Sequence, residues 1–162
     1  MAGKELTFNK DTFIVSKTDT KGFITYGNEL FITMSGYSEV ELLARPHNIL
    51  RHPEMPAVIF EYLWKNITKK QEVFAYVINK TKNNDYYWVF AYVTASIDAN
   101  DKIIGYHSVR RKPKKSSLDI IKPLYKELLS IEKTKGIEAS RQKLIDILKE
   151  KKVSYEEFIL SF

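Results

Sequence analysis

Along this chain the spacing of apolar positions changes several times, and each change marks an element. Residues 13–18 (FIVSKT) and 23–26 (FITY) are short β-branched and aromatic runs. Asp19-Thr20-Lys21-Gly22 lies between them and places Gly where a positive φ is often needed, so the pair predicts a hairpin. From Asn28 to Met34 the spacing becomes helical, with Leu30, Phe31 and Met34 on one face and Gly36 as the stop. Ser38 and Glu41 have the spacing of a capping box for a second short helix ending near Ala44. After Pro56, apolar residues at Ile59, Phe60, Leu63, Trp64 and Ile67 predict an amphipathic helix, and Pro56 suits its first turn.

Three strand patterns follow, residues 73–79, 86–97 and 103–110, joined by KTKNND and DANDK, so antiparallel hairpins are the economical connection. Two strands, short helices, one longer helix and three strands predict an α+β domain: a five-stranded antiparallel sheet with the short helices on one face. Beyond Pro113 the texture is helical, over residues 118–135, 137–151 and 155–160. Ser116 with Asp119 and Ser154 with Glu157 have capping-box spacing, and Gly136 separates the first two helices. The expected layout is an N-terminal segment 1–12, a domain 13–112 and a helical extension 113–162.

Composition narrows the class. Of 162 residues, 44% are hydrophobic and 13% aromatic, which is too rich for a disordered chain. Cysteine is absent, which removes disulfides, thiol nucleophiles and thiolate metal sites. The start, MAGKELTFNKD, lacks the apolar run of a signal peptide, and residues 86–97 fall short of the ~20 apolar residues that span a bilayer. A soluble, cytoplasmic protein with no direct membrane insertion is the expectation.

The net charge of +6 sits entirely in residues 110–162, which hold 14 Lys+Arg against 8 Asp+Glu, whereas residues 1–109 hold 12 of each. It begins with RRKPKK at residues 110–115, read as a solvated linker or a surface for an anionic partner. No base-reading motif accompanies it, so nucleic acid is not expected. No Ser/His/Asp set, phosphate loop or metal-spaced cluster is present either, so an enzyme is not expected.

One stretch stands out. RPHNILRHPEMP, residues 45–56, packs two of the three histidines, two arginines and three of the five prolines into twelve positions between helical patterns. It is either a surface loop or the wall of a binding site. This stretch, with FITYGNELFITMSGYSEVELLA before it and LWKNITKK, NKTKNNDYYWV and IIGYHSVR after it, resembles the PAS domain of the bacterial aerotaxis-receptor family. KPLYKELL, residues 122–129, resembles the family's segment after the PAS core, so the likeness covers roughly residues 13–129. Ending at Phe162, the chain resembles the stand-alone PAS partner of a bipartite energy-taxis receptor.

That resemblance implies non-covalent FAD used as a redox sensor, relaying its state to a membrane-bound chemoreceptor signalling protein. A flavin-cysteinyl photoreceptor and a coumarate thioester photoreceptor both need a cysteine, so both are excluded. On the family's motif, Arg51 offers a permanent cation for a pyrophosphate or for charge at a reduced flavin, with a surface pair to Glu54 as the plainer reading. His52 is placed to donate to the cofactor or to hold Arg51, with a satisfied loop histidine as the plainer reading. Glu54 stands where the family more often has Asp. Trp64 is either a core indole or a ring packed on the cofactor. Asn79 matches a position where an amide meets the flavin edge, unless it simply forms the turn before KTKNND. Asn28 also matches, although it serves equally as a helix cap.

Trp88 and His107 are expected to face the pocket, by alternation with Phe90 and with Gly105. His107 departs from the apolar residue expected there. The alternatives are a haem sensor, with His52 or His107 as iron ligand, and a cofactor-free PAS adaptor. Leu118, Ile121, Tyr125 and Leu128 form an apolar stripe that docks on its own sheet, makes a homodimer or binds the receptor partner.

Overall fold

A computed structural model describes residues 3–162. Strands β1 (Ile14–Thr18) and β2 (Ile24–Gly27) form the expected hairpin, closed by a turn in which the Asp19 carboxylate accepts from the Lys21 and Phe23 amides and Gly22 sits at φ +87°. Helix α1 (Glu29–Ser35) is capped by Asn28, whose Oδ1 accepts from Phe31 N at 3.0 Å, and ends on Gly36 at φ 74°. Helix α2 (Glu39–Leu42) carries the Ser38/Glu41 box. It stops two residues before Ala44, which has turned to φ 63°.

The proline-rich stretch is not a free loop. After Pro46 it makes one 3-10 turn, His47–Leu50. Phe23 pairs with Pro46 at one end of this segment, and Arg51 pairs with Asn79 at the other. Those partners belong to opposite edges of the sheet, so the segment is a strap across one face. Prolines suit a strap, because fixed φ values keep a short chain extended between its anchors.

Helix α3 (Ala57–Ile67) follows, then β3 (Val73–Lys80), β4 (Tyr86–Ile97) and β5 (Ile103–Arg111). The sheet order is β2-β1-β5-β4-β3 with every pair antiparallel. Gly105 is required where β5 crosses β1, since a Cβ there would lie 2.3 Å from the Thr18 carbonyl oxygen.

Register assigns the two faces. Ile14, Ser16 and Thr18 stand opposite Arg110, Ser108 and Tyr106, and these continue across Ala91 and Val93 of β4 to Ala75 and Val73 of β3. That row, with Val77 and Asn79, is the inner face, under the strap and α3. The other parity, with Phe74, Tyr76, Trp88, Phe90 and Tyr92, is the outer face.

The extension covers the outer face. Helix α4 (Lys115–Lys135) lays Ile121, Tyr125 and Leu128 on it, all three at most 2% exposed, and Tyr125 OH donates to the Tyr76 carbonyl at 2.6 Å. Of the three outcomes expected for the apolar stripe, docking on its own sheet is the one seen. The Ser116/Asp119 box does not form. The helix begins earlier, with Lys114 at its cap and no side-chain cap bond, and Asp119 pairs instead with Lys115 at 3.3 Å. Helices α5 (Ile137–Lys151) and α6 (Tyr155–Leu160) then return to α3 and the β3 edge. The Glu132 carboxylate accepts from Ala57 N and Val58 N at 2.9 Å each, Arg141 pairs with Glu61, and the Tyr155 ring lies 4.0 Å from that of Tyr62.

Candidate functional site

A cavity of about 450 Å3 lies between the inner face, the strap and α3, within the ~300–1,000 Å3 usual for small-molecule sites. Its apolar walls are Phe60, Leu63, Trp64 and Ile67 of α3 and Val77, Ala91, Val93 and Tyr106 of the sheet. Its polar groups come from Ser16, His47, Asn79, Ser108 and Arg110, with Lys21, Arg51 and Glu61 among the wall residues as well. Glu61 is already engaged by Arg141, so the unengaged charges are positive.

The deepest charge is Arg110. The residue is 4% exposed, and its guanidinium lies over the Phe31 ring at 5.5 Å. Nη2 donates to Ser16 Oγ at 2.6 Å and to His47 Nε2 at 2.8 Å, so that nitrogen must be the unprotonated one of a neutral imidazole. Burial first, then the Arg110 charge, hold His47 down at about 3. Burial also lowers Arg110, to about 10, which leaves it charged at neutral pH. A second guanidinium nitrogen, Nη1, is buried with no partner, and so are Ser108 Oγ and Asn79 Nδ2 on the same face. Tyr87 OH, across the ladder from Asn79, also makes no hydrogen bond of good geometry, and burial pushes its phenol up to about 12 against the opposing pull of the Arg110 charge and the nearby Asn79 side chain. Buried polar groups without protein partners are uncommon, and three of them on residues that line one cavity make it the candidate site.

Of the residues singled out from sequence, Asn79, Arg51 and Trp64 border the cavity. Asn79 is 5% exposed, in strand β3 rather than in a turn. Arg51 stacks on Phe60 at 4.6 Å and, among the described residues, has no carboxylate partner, so the surface pair with Glu54 does not form. Trp64 is 40% exposed, which removes the core reading. Its ring meets Tyr106 edge-on at 5.3 Å at the cavity rim.

Four others are placed elsewhere, and the fifth, His107, borders the cavity. His52 is buried but turned away, with Nδ1 accepting from Glu54 N at 3.1 Å and its ring against Tyr86. It braces the turn into α3. Glu54 is exposed and does not border the cavity. Asn28 spends its amide on the backbone, accepting from Val15 N and Phe31 N and donating to the Phe13 carbonyl. Trp88 lies on the outer face, 5.9 Å from Tyr125, with Lys122 over its ring. His107 borders the cavity, yet its parity with Lys17 and Thr94 puts the imidazole on the outer face. Neither histidine nominated for haem therefore presents a ring nitrogen to the cavity.

Sequence reasoning missed Arg110, His47, Ser16 and Ser108. Arg110 was hidden as the first letter of a basic run, although Tyr106, Ser108 and Arg110 share a strand parity. His47 was the other histidine of the proline-rich strap.

A strap and helix closing a ligand-sized cavity on one face of a 2-1-5-4-3 sheet define a class. Residues 24–110, just over half of the chain, match the family model for the PAS fold, and the chain belongs to that family. It is similar to the aerotaxis receptor of Escherichia coli strain K12, 38% identical over 118 residues, 73% of this chain and 23% of the receptor. It is also similar to the nitrogen fixation regulatory protein of Klebsiella pneumoniae, 26% identical over 97 residues, 60% of this chain and 20% of that one. The chain thus spans less than a quarter of the length of either relative. Among solved structures, a light-oxygen-voltage domain studied with a flavin analogue is 22% identical, with a TM-score of 0.60 over 68% of this chain and 83% of that one. The dark structure of the blue-light photoreceptor Aureochrome1 gives the same TM-score of 0.60 at 22% identity, over 68% of this chain and 81% of that one. These likenesses extend to the fold. No helix among the described residues is long and apolar enough to cross a membrane.

Proposed function

We propose that this chain is a non-catalytic redox sensor for energy taxis, a cytoplasmic PAS module that holds FAD non-covalently and passes its state to a membrane-bound chemoreceptor. The observation that carries the cofactor reading is the set of buried, unpartnered polar atoms on the cavity face: Asn79 Nδ2, Ser108 Oγ and Arg110 Nη1. A flavin ring fits that set, because it combines flat apolar faces for Phe60, Trp64 and Val77 with a polar edge rich in acceptors. Lys21 and Arg51 supply cations suited to a pyrophosphate. The likeness to an aerotaxis receptor, and to a domain studied with a flavin analogue, supports the same choice.

When bound, the flavin supplies the redox change, and the protein supplies orientation and electrostatics. Asn79 sits on β3 beside Tyr87, so a change in what its amide meets is felt in the strand ladder. On the other side of that sheet lies α4, whose Tyr125 bonds to the β3 backbone at Tyr76. Helix α3 offers a second route, since its N-terminus is held by Glu132 of α4. Both routes end in the extension, the element we assign to the chemoreceptor. The test is an absorbance spectrum of purified protein, supplied with FAD and then reduced with dithionite. Flavin bands that bleach on reduction are expected. Protein that stays colourless with FAD, or that shows a Soret band, overturns the reading.

A further inference from the structure

Arg110 is a buried cation that no carboxylate balances among the described residues. Phe31 lies on one side of it, Ser16 and neutral His47 hold Nη2, and among the described residues no carboxylate pairs with it. The phenol facing it, Tyr87, is uncharged at neutral pH. Burying a full charge without a counter-ion is strongly unfavourable, and a cation kept only as a brace would not leave a donor free. Nη1 is buried without a partner, and Arg110 is one of the residues that line the cavity. The remaining acid of the wall, Glu61, is taken by Arg141. The depth of the cavity therefore offers donors and positive charge.

We propose that Arg110 is the fixed counter-charge for the reduced form of the cavity's ligand, so that the pocket binds reduced flavin more tightly than oxidised flavin. This rests on the flavin reading above. Reduction by two electrons from an external donor such as dithionite, with uptake of one proton from water, leaves one negative charge on the ring. Arg110 offsets that charge in place of a second proton. His47 and Ser16 act as positioning residues, holding Nη2 so that the guanidinium stays fixed at the cavity wall and needs no reorganisation when the charge appears.

The test is the midpoint potential of the FAD-loaded protein, titrated with dithionite against a redox dye, for wild type, Arg110→Met and Arg110→Lys. Arg110→Met is expected to lose at least tenfold in affinity for reduced over oxidised FAD, read as a midpoint about 30 mV more negative for a two-electron couple. Arg110→Lys, which keeps the charge, is expected to recover most of that shift. Equal weakening of both forms with an unchanged potential overturns the proposal and leaves Arg110 a structural brace. Wild type alone gives a second readout that needs no variant to fold. Between about pH 5.5 and 6.5 its potential is expected to move by about 30 mV per pH unit, one proton per two electrons, and twice that slope overturns the proposal. A colourless wild type defeats the flavin reading itself, whereas a coloured one with an unaltered potential in the variants defeats only this inference.

Discussion

The two faces of the one sheet are built to different ends. The outer face carries large aromatics, Phe74, Tyr76, Trp88, Phe90 and Tyr92, stacked on one another and roofed by Tyr125, Leu128 and Phe162 of the same chain. The inner face carries small or polar residues, Ala75, Val77, Asn79, Ala91, Ser108 and Arg110, and keeps a cavity. Unpartnered polar atoms do occur on the outer side, at Trp88 Nε1, Ser117 Oγ and Tyr155 OH, but they are scattered over strand and helices. Three of those on the inner face belong to residues that line one cavity, Asn79, Ser108 and Arg110. One face is closed over by its own chain, and the other encloses a cavity.

The largest effect should come from opening the completed face. Leu128 is fully buried, and Leu128→Ala should cost about 2–5 kcal/mol of unfolding free energy in urea while leaving the flavin spectrum unchanged. A loss below about 1 kcal/mol would mean that α4 is not a fixed roof.

On the inner face, acid should act through His47. Its folded pKa lies near 3, below its ordinary 6.5, so the unfolded chain binds the extra proton and stability falls as pH drops through that window. Between pH 7 and 5 the loss should be about 2 kcal/mol. His47→Gln should remove most of it, since burial also lowers His52 and His107 but only His47 takes a hydrogen bond from the Arg110 guanidinium. An unchanged slope in that variant would place the titration elsewhere.

Next in size is the link between the two regions. Glu132→Ala removes the carboxylate that caps α3, and should cost about 0.5–2 kcal/mol and loosen ligand binding at the α3 wall. Stability lost with binding unaltered would show that the cap does not communicate with the cavity. The smallest and most diagnostic change is Asn79→Leu. Removing a buried donor that lacks a partner should leave the ligand-free protein as stable or about 1 kcal/mol more so, yet weaken FAD binding. A destabilised ligand-free protein would mean that the amide already has a partner.

The same contrast explains what could be read from sequence. Hairpins, caps and α3 were legible because their signals are local: Asn28, Gly36, Ser38 with Glu41, and Ser154 with Glu157 all act within a few residues. Parity was not legible in β4 and β5. Both faces of these strands are covered, so YYWVFAYV is apolar throughout and offers no alternation to count. Trp88 and His107 were therefore placed on the wrong face, and Ser108 and Arg110 went unnoticed beside them. In the strap the residue types were informative but their directions were not. The 3-10 turn sends His47 to the cavity and His52 away from it, and nothing in RPHNILRHPEMP distinguishes the two.

The chain's two tryptophans stand one on each side of this comparison, Trp64 at the cavity rim and Trp88 under α4. The most direct measurement is therefore the pair of indole N–H resonances in an NMR titration of the ligand-free protein with FAD. The Trp64 signal should shift with saturable dependence on FAD while that of Trp88 stays close to its starting position. A stationary Trp64 signal, or a shift confined to Trp88, would contradict the assignment of the inner face as the ligand site.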